Sequence, residues 1–133
     1  MTNQKIKAMV KTVLSALDCS SDVELSVLFV DDDEIRALNK EYLNRDYPTD
    51  VISFSMREGE FSTLNENLLG DVVVSLDNAK EYAEKKGVTL ENEVMFLLIH
   101  GILHLVGYDH EREGSDALSM KKKEEELYSL LTE

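Results

Sequence analysis

The segment TLENEVMFLLIHGILHLV, residues 89–106, constrains the fold more than any other part of the chain. Arranged as an α-helix that begins near Thr89, it is apolar on almost every side. A helix without a polar face has to be covered all round, so we expect it at the centre of the molecule. The apolar stretch VMFLLIHGILHLVG, residues 94–107, is too short to span a bilayer and carries two histidines, which predicts a core helix and no membrane contact.

The remaining segments predict helices and strands in mixed order. Apolar spacing indicates amphipathic helices at residues 5–17, from Asp31 or Asp32 to before Pro48, from Leu76 to Gly87, and from Ser115 onward. Strand-like runs occupy residues 24–30, 48–55 and 69–75. This mixture predicts an α/β or α+β fold, and the length fits one domain over residues 1–133.

One helix allows its inner face to be predicted from apolar spacing. In the second helix these residues are Ile35, Leu38 and Tyr42, whereas Leu118, Leu127 and Leu130 indicate only that the last segment is a helix. The run KKKEEE, residues 121–126, is interpreted as a solvated face.

The charge of the chain limits how it could meet nucleic acid. With 14 basic and 27 acidic residues, the net charge is −13, which excludes broad, charge-driven affinity for phosphates. Any RNA substrate must meet a local basic patch or be delivered by a partner. The single cysteine, Cys19, cannot form an internal disulfide, and Lys11 interrupts the apolar run near the start, so we expect a cytoplasmic protein.

All three histidines of the chain lie in HGILHLVGYDH, residues 100–110. His100 and His104 are four residues apart on the apolar helix, which turns about 400° and rises about 6 Å between them, so both rings lie on one face. His110 would face elsewhere on a continuing helix. Gly107 can adopt the left-handed conformation that ends a helix and folds the chain back toward the other two rings.

Three imidazoles leave a tetrahedral ion one open position, which is the layout of a catalytic zinc site. The predicted ligands are therefore His100, His104 and His110, around one Zn²⁺ per chain, although nickel or another divalent ion suits them too. The alternative, that the histidines are satisfied core residues, is less favoured because the third one follows a glycine at a spacing that a fold-back can use. The metzincin protease pattern shares the spacing, but it has a catalytic glutamate where this chain has Gly101.

The same segment closely resembles the signature of the YbeY family, bacterial metal-dependent endoribonucleases that mature ribosomal RNA. LNKEY (38–42), PTDVISF (48–54) and LGDVVVS (69–75) resemble other family segments in the same order. The resemblance implies a small mixed β-sheet surrounded by helices, with the metal site at the end of the central buried helix. It also implies single-strand-specific cleavage of RNA in small-subunit rRNA maturation and ribosome quality control, with the small subunit or its assembly proteins as partners.

Two departures from the family pattern concern the site and the sheet. An arginine usually follows the aromatic residue that Tyr42 matches, whereas this chain has Leu43 there and Arg45 two positions later. Arg45 is the candidate for stabilising negative charge on the phosphate, and Arg45 and His100 are the candidate catalytic residues. The family's extra N-terminal strand is missing, so one sheet edge is expected to be shorter or bare.

Other assignments stay open at the level of sequence. Asp71 either orients a ligand histidine or satisfies backbone donors at the start of the strand at 69–75. In the strand at 48–55, Ser53 and Ser55 give one face hydroxyl groups, which suits either an RNA groove or simple surface exposure. The alternatives in function are a metal-dependent hydrolase of amides or peptides, and a ribosome assembly factor with a mainly structural ion. Whether water or the 2′-hydroxyl attacks is also undecided.

Overall fold

The computed structural model of the chain describes residues 2–20, 22–55, 67–107 and 115–132. The described part contains five helices and three strands: α1 (Asn3–Ala16), β1 (Glu24–Val30), α2 (Asp32–Leu43), β2 (Val51–Ser55), β3 (Leu68–Ser75), α3 (Leu76–Lys86), α4 (Leu90–Leu105) and α5 (Ser115–Thr132). Every predicted helix and strand is present, with boundaries shifted by a few residues. The prediction of an α+β fold is confirmed.

The three strands form one mixed sheet in the order β1-β3-β2. β3 lies in the middle, parallel to β1 and antiparallel to β2. Its sequence LLGDVVVS is buried at most positions, as expected for a strand with a neighbour on each side and layers on both faces. β1 and β2 are the edge strands of this sheet.

Helix α4 is the centre of the molecule, as its apolar sequence predicts. Ten of its residues are buried, and they contribute much of the main core. This core joins α4 to α1, α5 and one sheet face through residues such as Met9, Leu69 and Met120. A smaller cluster of Ile35, Ile52 and Val73 lies between α2 and the other face of the sheet.

Local signals in the sequence explain where the helices begin and end. The side chains of Asp31, Ser75 and Thr89 cap α2, α3 and α4 by accepting hydrogen bonds from backbone N–H groups of the first turn. Helix α3 ends at Gly87, whose φ of 71° lies in the left-handed region. Helix α2 ends at Asn44 in the same conformation, before the only proline.

The inner face predicted for α2 is partly wrong, and α5 buries only one of the three leucines that indicate it. Tyr42 is 61% exposed, although its ring still packs against that of Phe54 in a T-shaped arrangement. In α5, Leu118 and Leu130 are 70% and 54% exposed, whereas Leu127 is buried. The stripe that this helix presents to the core consists of Met120, Glu124 and Leu127, with Tyr128 and Leu131 packed against it.

The length and apolar composition of the helices bear on whether any of them could cross a membrane. Among the described residues no single helix is long and apolar enough to cross a bilayer, and α3 and α4 reach that length only as a pair bent by 114°.

Candidate metal centre

His100 and His104 lie side by side on the last two turns of α4. Their ring centroids are 4.8 Å apart and the ring planes are inclined by 72°. Both side chains are partly buried. The predicted pairing of these histidines on one helix face is confirmed, and the two rings are close enough to serve one ion.

Close packing against the sheet holds this part of α4 in place. Gly101 follows the first histidine, and a Cβ atom there would lie 2.6 Å from Val72 Cγ1 and 3.1 Å from Ser53 Oγ. Ser53 Oγ donates a hydrogen bond of 2.9 Å to the Gly101 carbonyl oxygen. Glycine at this position therefore allows the helix to approach β2 and β3 closely, and a strand hydroxyl ties it there.

A carboxylate from the last helix contacts the first histidine. Nδ1 of His100 is hydrogen-bonded to Oε1 of Glu124 on α5. The sequence interpretation missed this contact because it assigned the whole KKKEEE run to a solvated face. The spacing held a signal: position 124 falls four residues after Met120 and three before Leu127, both of which are buried.

The end of α4 has the conformation that the sequence predicts. Gly107 has a φ of +109°, a backbone conformation that favours glycine, and its N–H donates to the His104 carbonyl oxygen at 3.1 Å. Within the described ranges no group of three histidine, cysteine or carboxylate side chains forms a metal site. His110 lies outside the described residues, so its part as third ligand stays a prediction.

The chemistry of the two described histidines fits a zinc-type ion. Neutral imidazole nitrogens are preferred ligands of zinc and of several other divalent transition metals. A carboxylate on Nδ1 of an imidazole is the arrangement that orients the opposite nitrogen, Nε2, toward a metal ion, and Glu124 supplies this carboxylate to His100. His100 and His104 therefore fit as two of the three ligands predicted from the sequence.

The family of the chain is decided by comparison with known proteins. The family model described as Endoribonuclease YbeY matches residues 1–132. The chain belongs to the YbeY family. The family predicted from the histidine signature is thus confirmed, and the alternative of an amide or peptide hydrolase is not favoured.

Individual YbeY relatives match over most of their length. Proteins named Endoribonuclease YbeY from Syntrophus aciditrophicus and Geobacter metallireducens are 47% and 48% identical to this chain. Each match covers 96% of this chain, and 80% and 85% of the respective relative. The solution structure of TM1509 from Thermotoga maritima matches with a TM-score of 0.66 and 30% identity, over 95% of this chain and 78% of that one.

Arg45, the candidate replacement for the arginine of the YbeY pattern, lies just beyond the end of α2. Its backbone N–H donates to the Asn39 carbonyl oxygen at 3.2 Å, and its side chain is exposed. Its neighbour Asp46 is bound to α2, with Oδ1 2.9 Å from Nε of Arg36, and this guanidinium lowers the pKa of Asp46. Helix α2 therefore ends before Pro48, as predicted, and also before Arg45, while the catalytic role of Arg45 stays a prediction.

Asp71 and Ser53 lie on opposite faces of the sheet. Ser53 and its register partner Val72 face α4, so the polar face predicted for β2 meets the histidine helix. Asp71 is paired with Phe54 on the other face, because successive side chains alternate along a strand. Since β3 begins at Leu68, Asp71 is also not at the start of the strand, and it does not orient His100 or His104.

Proposed function

We propose that the chain is a metal-dependent endoribonuclease that cleaves single-stranded RNA during maturation of the small-subunit ribosomal RNA. The observation that carries the metal requirement is the pair of histidines on the buried helix α4, with ring centroids 4.8 Å apart. Membership in a family named for endoribonuclease activity supports the reaction. A role in ribosome quality control, in the cytoplasm, belongs to the same proposal.

The residues proposed to hold the ion are His100, His104 and His110, with Zn²⁺ as the ion that three imidazoles suit well. When bound, such an ion supplies a Lewis acid for a phosphoryl oxygen and lowers the pKa of water. His100 and His104 would hold the ion at a fixed place, because both project from a helix that the sheet and α5 hold in position. Arg45 is proposed to stabilise negative charge that develops on the phosphate.

The strong negative charge bears on how RNA reaches the site. A chain with net charge −13 repels a free polyphosphate chain over most of its surface. Two cations on α2 are already engaged by Asp46, with Arg36 at 2.9 Å and Lys40 at 3.9 Å. We therefore propose that ribosomal small-subunit components or assembly proteins present the RNA, and that cleavage of free RNA is slow and strongly dependent on salt.

The test compares His104→Ala with wild type after loading with zinc. Wild type is expected to bind one ion per chain and to cleave single-stranded RNA faster than a duplex of the same sequence. His104→Ala is expected to lose both the ion and the cleavage, because two ligands hold a divalent ion poorly. Lys80→Ala, a change on the exposed surface of α3, is the control and should keep both properties.

Two results would reject the proposal or part of it. Full cleavage by metal-free His104→Ala would show that the reaction does not depend on this site. The second result is a wild type that binds zinc and loses thermal stability without it, yet cleaves no RNA with or without ribosomal particles. That result would favour an assembly factor with a structural ion.

A further inference from the structure

We propose that Glu124 is a positioning residue for the metal centre, holding the imidazole of His100 in the tautomer and orientation that present Nε2 to the ion. This inference rests on the proposed function, because it needs an ion at His100. It extends the site beyond the histidine segment to α5, a helix that follows that segment in the chain.

The burial of Glu124 is the first observation. Glu124 is 9% exposed, whereas Glu125 and Glu126, the next residues of the same acidic run, are exposed. Removing a carboxylate from water is costly unless it gains a strong hydrogen-bond partner. The partner present is the imidazole of His100, whose side chain is itself only 22% exposed.

The packing of α5 fixes where this carboxylate lies. Met120, 0% exposed, and Leu127, 2% exposed, lie one helical turn before and after Glu124 and anchor that face of α5 in the core. The neighbouring cation Lys123 contacts another carboxylate, with its Nζ 3.4 Å from Glu126 Oε2. Glu124 is thus set on a rigid element, aimed at one imidazole.

The chemistry of the contact determines the tautomer. An ionised carboxylate only accepts hydrogen bonds, so Nδ1 of His100 has to carry the hydrogen. In the neutral ring Nε2 then carries the lone pair, which is the form that binds a metal ion. Carboxylates in this position typically raise metal affinity by about 10–100-fold, because they fix the ring and make the ligating nitrogen more basic.

A purely structural contact is the competing explanation. In that case Glu124 would only fasten α5 to α4, and its loss would reduce stability without changing the affinity for an ion. The two explanations differ in metal affinity and in the tautomer of His100, and neither readout requires RNA cleavage.

The experiment compares Glu124→Met, which fills the space without an acceptor, Glu124→Gln, which keeps an amide oxygen, and the exposed control Glu125→Gln. Zinc affinity is measured by competition with a chromophoric chelator, and thermal unfolding of the metal-free proteins checks the fold. The tautomer of His100 is read at neutral pH in metal-free protein from long-range ¹H–¹⁵N correlations of the ring.

The variants are expected to differ stepwise in zinc affinity and in the tautomer of His100. Glu124→Met should bind zinc about 10–100-fold more weakly, with an increased share of the Nε2–H form of His100, and Glu124→Gln should lie between it and wild type. Glu125→Gln should match wild type. If Glu124→Met fails to fold, Glu124→Gln alone decides. A zinc affinity and a His100 tautomer in Glu124→Gln equal to those of wild type would overturn the inference.

Failure of this inference is distinguishable from failure of the proposed function. Wild type that binds zinc, with all three variants binding it equally tightly, would reject the role of Glu124 and leave the metal-dependent nuclease intact. Wild type that binds no divalent ion would reject both.

Discussion

Replacing Gly101 with alanine tests how closely the histidine helix must approach the sheet. The added Cβ would lie 2.6 Å from Cγ1 and 3.2 Å from Cγ2 of Val72, inside the normal contact distance. Val72 is completely buried and its branched side chain has little freedom to turn aside. Either α4 or β3 therefore has to move.

The free energy of unfolding should fall despite the better helix propensity of alanine. Glycine to alanine inside a helix gains about 1 kcal/mol, whereas overpacking of a filled core costs about 1–3 kcal/mol. Because the contact is short and its neighbour is stiff, we expect the upper part of that range and a net loss of about 1–2 kcal/mol. For a chain of this length that corresponds to a fall of about 4–8 °C in Tm.

The assay is denaturant and thermal unfolding of the metal-free protein, with a double-mutant cycle as control. Val72→Ala removes both clashing methyl groups, so Gly101→Ala combined with Val72→Ala should be at least about 1 kcal/mol more stable than the sum of the single changes. A Gly101→Ala variant as stable as wild type, or additive changes in the cycle, would refute the reasoning.

Three further predictions concern other parts of the chain. Leu127→Ala should lower the free energy of unfolding by about 2–5 kcal/mol, measured by urea denaturation, whereas Leu118→Ala should change it by less than about 0.5 kcal/mol because that side chain is exposed. Arg45→Ala should lower kcat for RNA cleavage about 100-fold at unchanged zinc content, and equal kcat would exclude the residue from catalysis. Arg36→Gln should raise the pKa of Asp46, read by NMR titration, because the guanidinium lowers it. The Arg36–Asp46 ion pair stabilises the fold at neutral pH, and this contribution is lost as the pH falls through the pKa of folded Asp46. An unshifted pKa of Asp46 in Arg36→Gln would contradict the assignment.

The secondary structure and the centre of the fold could be predicted because local physics determines them. An apolar helix has to be buried, and Asp31, Thr89 and Gly87 carry chemistry that begins or ends helices by itself. The pairing of His100 and His104 follows from helical spacing alone. These features depend on residues near one another in sequence.

Features that depend on how helices pack were harder to predict. In α5 apolar spacing does not identify the inner face, because the stripe through Met120, Glu124 and Leu127 contains a carboxylate. Its burial is favourable only beside His100, 24 residues away in sequence. The sheet face on which Asp71 lies could likewise not be predicted without the strand register, which places its side chain on the face away from α4.

The most direct test of the central claim is a crystal structure of the zinc-loaded protein with anomalous scattering at the zinc edge. The account predicts one anomalous peak per chain, within bonding distance of Nε2 of His100 and of the imidazoles of His104 and His110. A zinc-loaded crystal with no peak beside His100 and His104, or with the ring of His110 directed away from them, would contradict it.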